Sequence, residues 1–278
     1  MNEKIFEDLY LVTESPYLIQ DKIKKHAADT LPKFLLGICF LMIIENWLPY
    51  LFSLAFPTTV ADVIAHYNSN IDAQMLQALP KIPVFLYIYA LIFNGVIKLG
   101  EALFTLTYIR NRTLEFKALF EGIKFYFKAF ILYLVQIIII SFWSMFFLIP
   151  GIIAALNFSQ SFYLLADDPS KSIINLLLES KIRMKGNRLT YLKLIVSYLP
   201  YILLGLIPSL AIDFIVEVDI TTMKGLGIDL LVNTPFYIAM AYLMIGQCVF
   251  YELLISKGFR NFRYRGQDAF RSDVEFVD

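Results

Sequence analysis

The sequence predicts an all-α integral membrane bundle of about six transmembrane helices with two cytoplasmic amphipathic helices, on three observations. Of 278 residues, 58% are hydrophobic and 17% charged, against roughly 45–50% and about 25% in an average soluble domain. The apolar residues arrive in long blocks rather than at the spacing with which a water-soluble core is built. The basic residues gather in alternate connections between those blocks, as expected when Lys and Arg stay on the cytoplasmic side of a membrane.

A hydrocarbon core about 30 Å thick takes roughly 20 residues of helix at 1.5 Å each. Six blocks reach or approach that length. Leu31 to Phe56 is the first and Ile82 to Ile109 the second. Phe130 to Leu148 and the shorter Ile152 to Ala166 are the third and fourth, parted only by the turn signal Ile149-Pro150-Gly151. Tyr191 to Val216 is the fifth, with Pro200 and Pro208 inside it, and Leu230 to Ser256 the sixth, with Pro235 near its start. About thirty residues rich in Glu and Asp precede the first block and no small-residue cleavage site follows it, so it is expected to remain as an anchor. The chain then divides into a cytoplasmic segment 1–30, a membrane domain 31–256 and a cytoplasmic tail 257–278.

Of the 24 Lys and Arg residues, 21 lie in, or within three residues of, the N-terminal segment, the second-to-third and fourth-to-fifth connections, and the tail, and the exceptions are Lys81, Lys224 and the mid-span Lys98. An even number of spans with both termini cytoplasmic follows. The 24 acidic residues cancel the 24 basic ones, so net charge points to no nucleic-acid partner.

Two cytoplasmic connections carry helical periodicity. Thr113 to Lys128 sets Phe116, Phe120, Ile123 and Phe127 against Lys117, Glu121, Lys124 and Lys128, the pattern of a helix lying on the membrane surface. In the other, Asp168 can cap a helix, Pro169 fits its first position and Gly186 can supply the left-handed residue that ends it. Its apolar stripe is Ile173, Ile174, Leu177, Leu178 and Ile182.

Leu148 to Pro200 contains the hairpin Ile149-Pro150-Gly151-Ile152, the exit Ala166-Asp167-Asp168-Pro169, and Glu179-Ser180 followed by Met184-Lys185-Gly186-Asn187. With Thr234-Pro235-Phe236-Tyr237 and Phe250-Tyr251-Glu252, this stretch resembles an uncharacterised family of polytopic bacterial membrane proteins, related to the membrane domain attached to some glycerophosphodiester phosphodiesterases. The resemblance implies a bacterial cytoplasmic-membrane location and brings no catalytic residues with it. The phosphodiesterase chemistry belongs to a separate soluble barrel for which this chain has no room.

Mechanistic motifs for phosphate cradling, serine hydrolysis or zinc hydrolysis are absent from the sequence. His26 and His66 fall on opposite predicted sides, and Cys39 and Cys248 sit inside apolar blocks, so neither a metal nor a cofactor is expected. The candidate residues are polar groups within the spans, because an ionisable side chain at a helix centre costs roughly 2.5–3.5 kcal/mol to insert. Asn94, Lys98, Glu101 and Thr105 share one helical face, and the i, i+3 spacing predicts an interior Lys98–Glu101 ion pair extended by Asn94 and Thr105. Glu45, Asn157, Ser161 and Gln247 add polar groups on other spans, and Glu252 lies near the end of the sixth. The expectation is a non-catalytic protein that binds membrane lipids or membrane partners in envelope maintenance. A small transporter, or a self-protection protein with a small ligand, is the alternative. A membrane-embedded lipid enzyme is a third class, although no span carries the paired acidic motif of phosphoalcohol transfer.

Overall fold

The computed structural model describes residues 31–42, 44–45, 48–49, 56, 58–67, 83–111, 115–215 and 223–264. It is a helical bundle with no strand among the described residues. The elements are α1 (Leu31–Met42), α2 (Val60–Tyr67), α3 (Val84–Asn111), α4 (Lys117–Glu121) with a 3-10 turn at Gly122–Phe125, and α5 (Tyr126–Phe146). They continue with α6 (Leu148–Phe158), α7 (Ser161–Asp167), α8 (Ile173–Met184), α9 (Arg188–Ile215) and α10 (Met223–Tyr264). Five stretches are long and apolar enough to cross a membrane: Val84–Asn111, Lys117–Phe146, Leu148–Asp167, Arg188–Ile212 and Leu231–Ile255. They correspond to the second through sixth sequence blocks. The first block is helical over α1, and most of its remainder lies outside the described residues, as do segment 1–30 and most of the tail 257–278.

α10 is the hub of the bundle. Of its spanning residues 72% are buried, against 11% for α9, so α10 is central and α9 peripheral. Ile245, Val249 and Leu253 pack with Phe34 and Ile38 of α1 and Phe104 of α3. Cys248 and Tyr251 join Leu99, Leu132, Leu165 and Leu176 in a second cluster. Leu243, Phe250 and Leu254 join Tyr191, Leu194 and Met184 in a third. Pro200 and Pro208 lie inside α9 and Pro235 inside α10, as read from the sequence.

Three local expectations are corrected. The hairpin between the third and fourth spans turns at Phe147, whose backbone is extended (φ −157°, ψ 147°), and not at Ile149-Pro150-Gly151. Pro150 and Gly151 stand in the first turn of α6, where proline's missing N–H forfeits no intrahelical bond. The nine consecutive residues from Ser141 to Ile149 are all exposed, and Ser141 and Ser144 are the only polar ones among them.

Of the stretch Thr113 to Lys128, the described part, 115–128, forms no separate surface helix. α4 and the 3-10 turn run straight into α5, and the inward face is the small-residue one, with Ala118, Leu119 and Gly122 buried while Phe116, Phe120, Ile123 and Phe127 face outward. A Cβ on Gly100 of α3 would stand 2.5 Å from the Leu119 carbonyl oxygen. Close backbone approach between apolar helices thus sets the inward face, while Phe116 and Phe120 remain partly exposed beside Phe104 and Phe40.

α8 begins at Ile173, not at Pro169. Its cap is Ser172, whose hydroxyl accepts from the Asn175 N–H (3.3 Å), while Asp168 turns its carboxylate to the Ser170 N–H and hydroxyl. These bonds, the hydroxyl's first, hold Asp168 below the usual carboxylate range. Serine won the cap because Asp168 closes an Asx turn two residues ahead of itself, which removes it from competition. At the other end Gly186 adopts φ +86°, the left-handed conformation expected of it.

Candidate functional site

Lys98 lies at the midpoint of the 28-residue α3, with Asn94, Glu101 and Thr105 at helical spacing along the same face. Protein surrounds it on most sides, yet its side chain keeps exposed surface, so it stands in an open recess. Glu101, Glu45 and Tyr133 all lie within electrostatic reach of its ammonium, and Glu45 also reaches Glu101. Three elements supply these groups: α3, the π-helical pair Ile44–Glu45 that lies beyond α1, and α5. The Tyr89 hydroxyl donates to the Ile44 carbonyl oxygen (3.0 Å), one residue before Glu45.

The Lys98–Glu101 ion pair expected from the sequence does not form. Among the described residues Lys98 makes no ion pair and no hydrogen bond. Lysine N-terminal to glutamate is the weaker orientation along a helix, and Glu101 has the second carboxylate, Glu45, beside it. Nor do the flanking residues extend a pair. The Asn94 amide donates to the Tyr133 hydroxyl (3.2 Å), and the Thr105 hydroxyl folds back onto the Glu101 carbonyl oxygen (2.7 Å). Of the predicted residues, Glu45, Asn94, Lys98 and Glu101 are therefore gathered at one place, while Thr105 is satisfied within its own helix. Tyr133 and Tyr89 were not read from the sequence. Their only signal there was a phenol inside an apolar block, where a hydroxyl needs a partner.

Asn157 and Ser161 belong to a different feature, the interruption of the fourth span. α6 ends at Phe158 and α7 restarts at Ser161 after a turn at Ser159–Gln160. Neighbouring side chains serve the carbonyls this loosens. The Ser180 hydroxyl donates to the Asn157 carbonyl oxygen (2.6 Å) and the Gln136 amide to that of Phe158 (3.2 Å). The Asn157 Oδ1, Gln160 Oε1 and Ser161 Oγ atoms are buried without a hydrogen-bond partner. Gln247 is half-buried on α10, one turn before Tyr251.

A third polar cluster ties one end of the bundle together. The Arg110 guanidinium at the end of α3 donates to both carboxylate oxygens of Asp167 (2.5 and 3.0 Å) and through Nε to Glu252 of α10 (2.7 Å). Tyr251 adds its hydroxyl to Asp167 (2.5 Å), and Lys128 donates to the Pro169 carbonyl oxygen (2.5 Å). Beside this clasp, Glu179 on α8 accepts from Lys171 (2.7 Å) and Arg183 (2.6 Å). Burial pulls the Glu179 carboxyl upward, but the two cations outweigh it and hold it below the usual range.

No set of three His, Cys, Asp or Glu side chains among the described residues is placed to hold a metal ion. The recess is the arrangement that calls for a ligand, because it presents an ammonium with no ion-pair partner among the described residues, and two carboxylates and a phenol within its electrostatic reach, at the middle of α3. No family model, curated protein or solved structure matches the chain.

Proposed function

We propose that this chain is a non-catalytic membrane protein that binds a membrane lipid at the recess around Lys98. We place it in the bacterial cytoplasmic membrane with both termini on the cytoplasmic side. The observation behind this is the mid-span ammonium that makes no ion pair among the described residues. A charge at a span centre costs roughly 2.5–3.5 kcal/mol to insert, and a lipid headgroup drawn in from the bilayer supplies polar contacts that offset part of that cost. The lipid's acyl chains then lie along apolar side chains of α3 that already face outward, such as Leu91 and Phe93.

α8 supports the same function from the cytoplasmic side. Its inward face buries Leu176, Leu177, Ser180 and Met184, while Ile174, Leu178 and Ile182 form an outward stripe at a spacing of four, with Lys181 and Lys185 exposed beside it. A helix of this kind suits the headgroup boundary, where each basic residue gains about 1 kcal/mol from anionic lipid. Envelope maintenance, through bound lipid or membrane partners, is the role that fits. A small transporter is the second reading, favoured by the interrupted fourth span, since interrupted helices are where many transporters hold their cargo.

Lipid extracted from the detergent-purified protein tests the proposal. We expect one lipid retained per chain, lost from the Lys98→Leu, Glu101→Leu double variant while helix content and melting temperature hold. Equal lipid in both proteins would overturn it.

A further inference from the structure

Five of the seven buried polar or charged residues among the described residues, Gln136, Asn157, Gln160, Ser161 and Ser180, come together at the interruption of the fourth span. All five are uncharged. The interruption lies near the middle of the stretch Leu148–Asp167, a depth at which a polar atom without a partner is costly. Three donors there are already used: the Ser180 hydroxyl on the Asn157 carbonyl oxygen (2.6 Å), the Gln136 amide on that of Phe158 (3.2 Å), and the Gln160 amide on the Ser159 hydroxyl oxygen (3.0 Å). The three atoms left buried without a partner, Asn157 Oδ1, Gln160 Oε1 and Ser161 Oγ, are all oxygens. Their residues stand at i, i+3 and i+4, and the backbone between them stays right-handed (Ser159 φ −58°, ψ −27°; Gln160 φ −94°, ψ −1°), so all three project from one face of the span.

We propose that these three oxygens form a binding site for a monovalent metal cation, sodium or potassium. Ser161 points to a guest most directly. The hydroxyls of Thr105, Thr107, Ser159 and Ser197 each donate to a carbonyl oxygen three or four residues back, the usual resort of a hydroxyl inside a helix, and that of Ser161 does not. The donor set decides the class of ion. Calcium and magnesium collect carboxylates and soft metals take thiolate or imidazole, and the five side chains at the break offer neither. Uncharged oxygens can replace the hydration shell of a monovalent cation, and interrupted spans are where membrane proteins coordinate such ions. A water molecule is the other guest that buried oxygens accept, and it differs in answering to no added salt. The site is independent of the lipid-binding reading, so either can fail without the other.

Thermal unfolding of the detergent-purified protein, with NaCl or KCl substituted stepwise for choline chloride at constant ionic strength, tests this. We expect the melting temperature to rise with one of the two metal ions and to keep rising with the logarithm of its concentration above the dissociation constant, as linkage requires. The ion that acts names the occupant. Ser161→Ala and Asn157→Leu each remove one oxygen and should weaken the apparent affinity about tenfold, whereas Ser197→Ala, at a hydroxyl already bonded within α9, should leave it unchanged. A wild-type protein that responds to no salt, the behaviour of a break holding water alone, would overturn the site. So would a response to choline as large as to either metal ion, or wild-type affinity in both Ser161→Ala and Asn157→Leu.

Discussion

Replacing Arg110 by Leu should loosen the bundle at one end, and the size of the effect follows from the exposure of its partners. Arg110 makes a two-pronged contact with Asp167 and a further one with Glu252, and the three side chains are 34%, 23% and 9% exposed. A fully exposed ion pair contributes about 0–1 kcal/mol, and removing one partner from a buried pair costs about 3–5 kcal/mol. Partial exposure places this clasp between those limits, at about 2 kcal/mol. Most of that cost comes from leaving Glu252 without its cation, so Arg110→Leu combined with Glu252→Leu should be less destabilising than the sum of the two single changes. Reversible unfolding in mixed micelles, run as a double-mutant cycle, measures that coupling. An additive cycle, or a loss under about 0.5 kcal/mol for Arg110→Leu, would refute the claim that this clasp joins α3, α7 and α10.

Two further perturbations follow from close contacts. Gly100→Leu would drive a side chain into the Leu119 carbonyl oxygen, 2.5 Å from the added Cβ, and should cost about 1–3 kcal/mol in the same unfolding assay, the range for overpacking. Wild-type stability would show that α4 is not seated on α3. Glu179, held below its ordinary value of 4.5 by Lys171 and Arg183, contributes stability that is present above that value and lost as pH falls through its lowered folded one. Melting temperatures from pH 7 downward should therefore show Glu179→Gln with a shallower decline than wild type below about pH 4.5, and parallel curves would remove Glu179 from the acid response.

How much of this was legible in the sequence depends on the range of the interaction. The spans declared themselves because twenty apolar residues in a row have few other uses, and Gly186 declared the end of α8 because few other residues take a positive φ. The hairpin turn was misplaced because Pro150-Gly151 is a turn signal and also an acceptable first helical turn, and only the extended backbone at Phe147 separates the two. Lys98 and Glu101 were visible as a pair by spacing, but Glu45 and Tyr133, which also lie within electrostatic reach of Lys98, come from other elements and carry no local signal. The Arg110 clasp joins residues 57 and 142 positions apart. Nothing local marks such partners, so a single sequence reveals the charges without their pairing. The inward face of α4 could not be read, because the close approach of Gly100 to Leu119 that sets it joins two separate elements.

The hairpin at Phe147 bears on how the chain enters the membrane. From Ser141 to Ile149 it offers no charged side chain, and the two flanking spans are joined by one extended residue. During biogenesis, then, no hydrophilic loop has to be carried across the bilayer at this point. α5 and the α6–α7 pair then form a closed wedge with an uncharged tip, and Lys124, Lys128 and Lys171 stand at its open end. Orientation by charge remains intact throughout, because the count of positive residues is the same whether such a wedge emerges on the far side or stops just short of it.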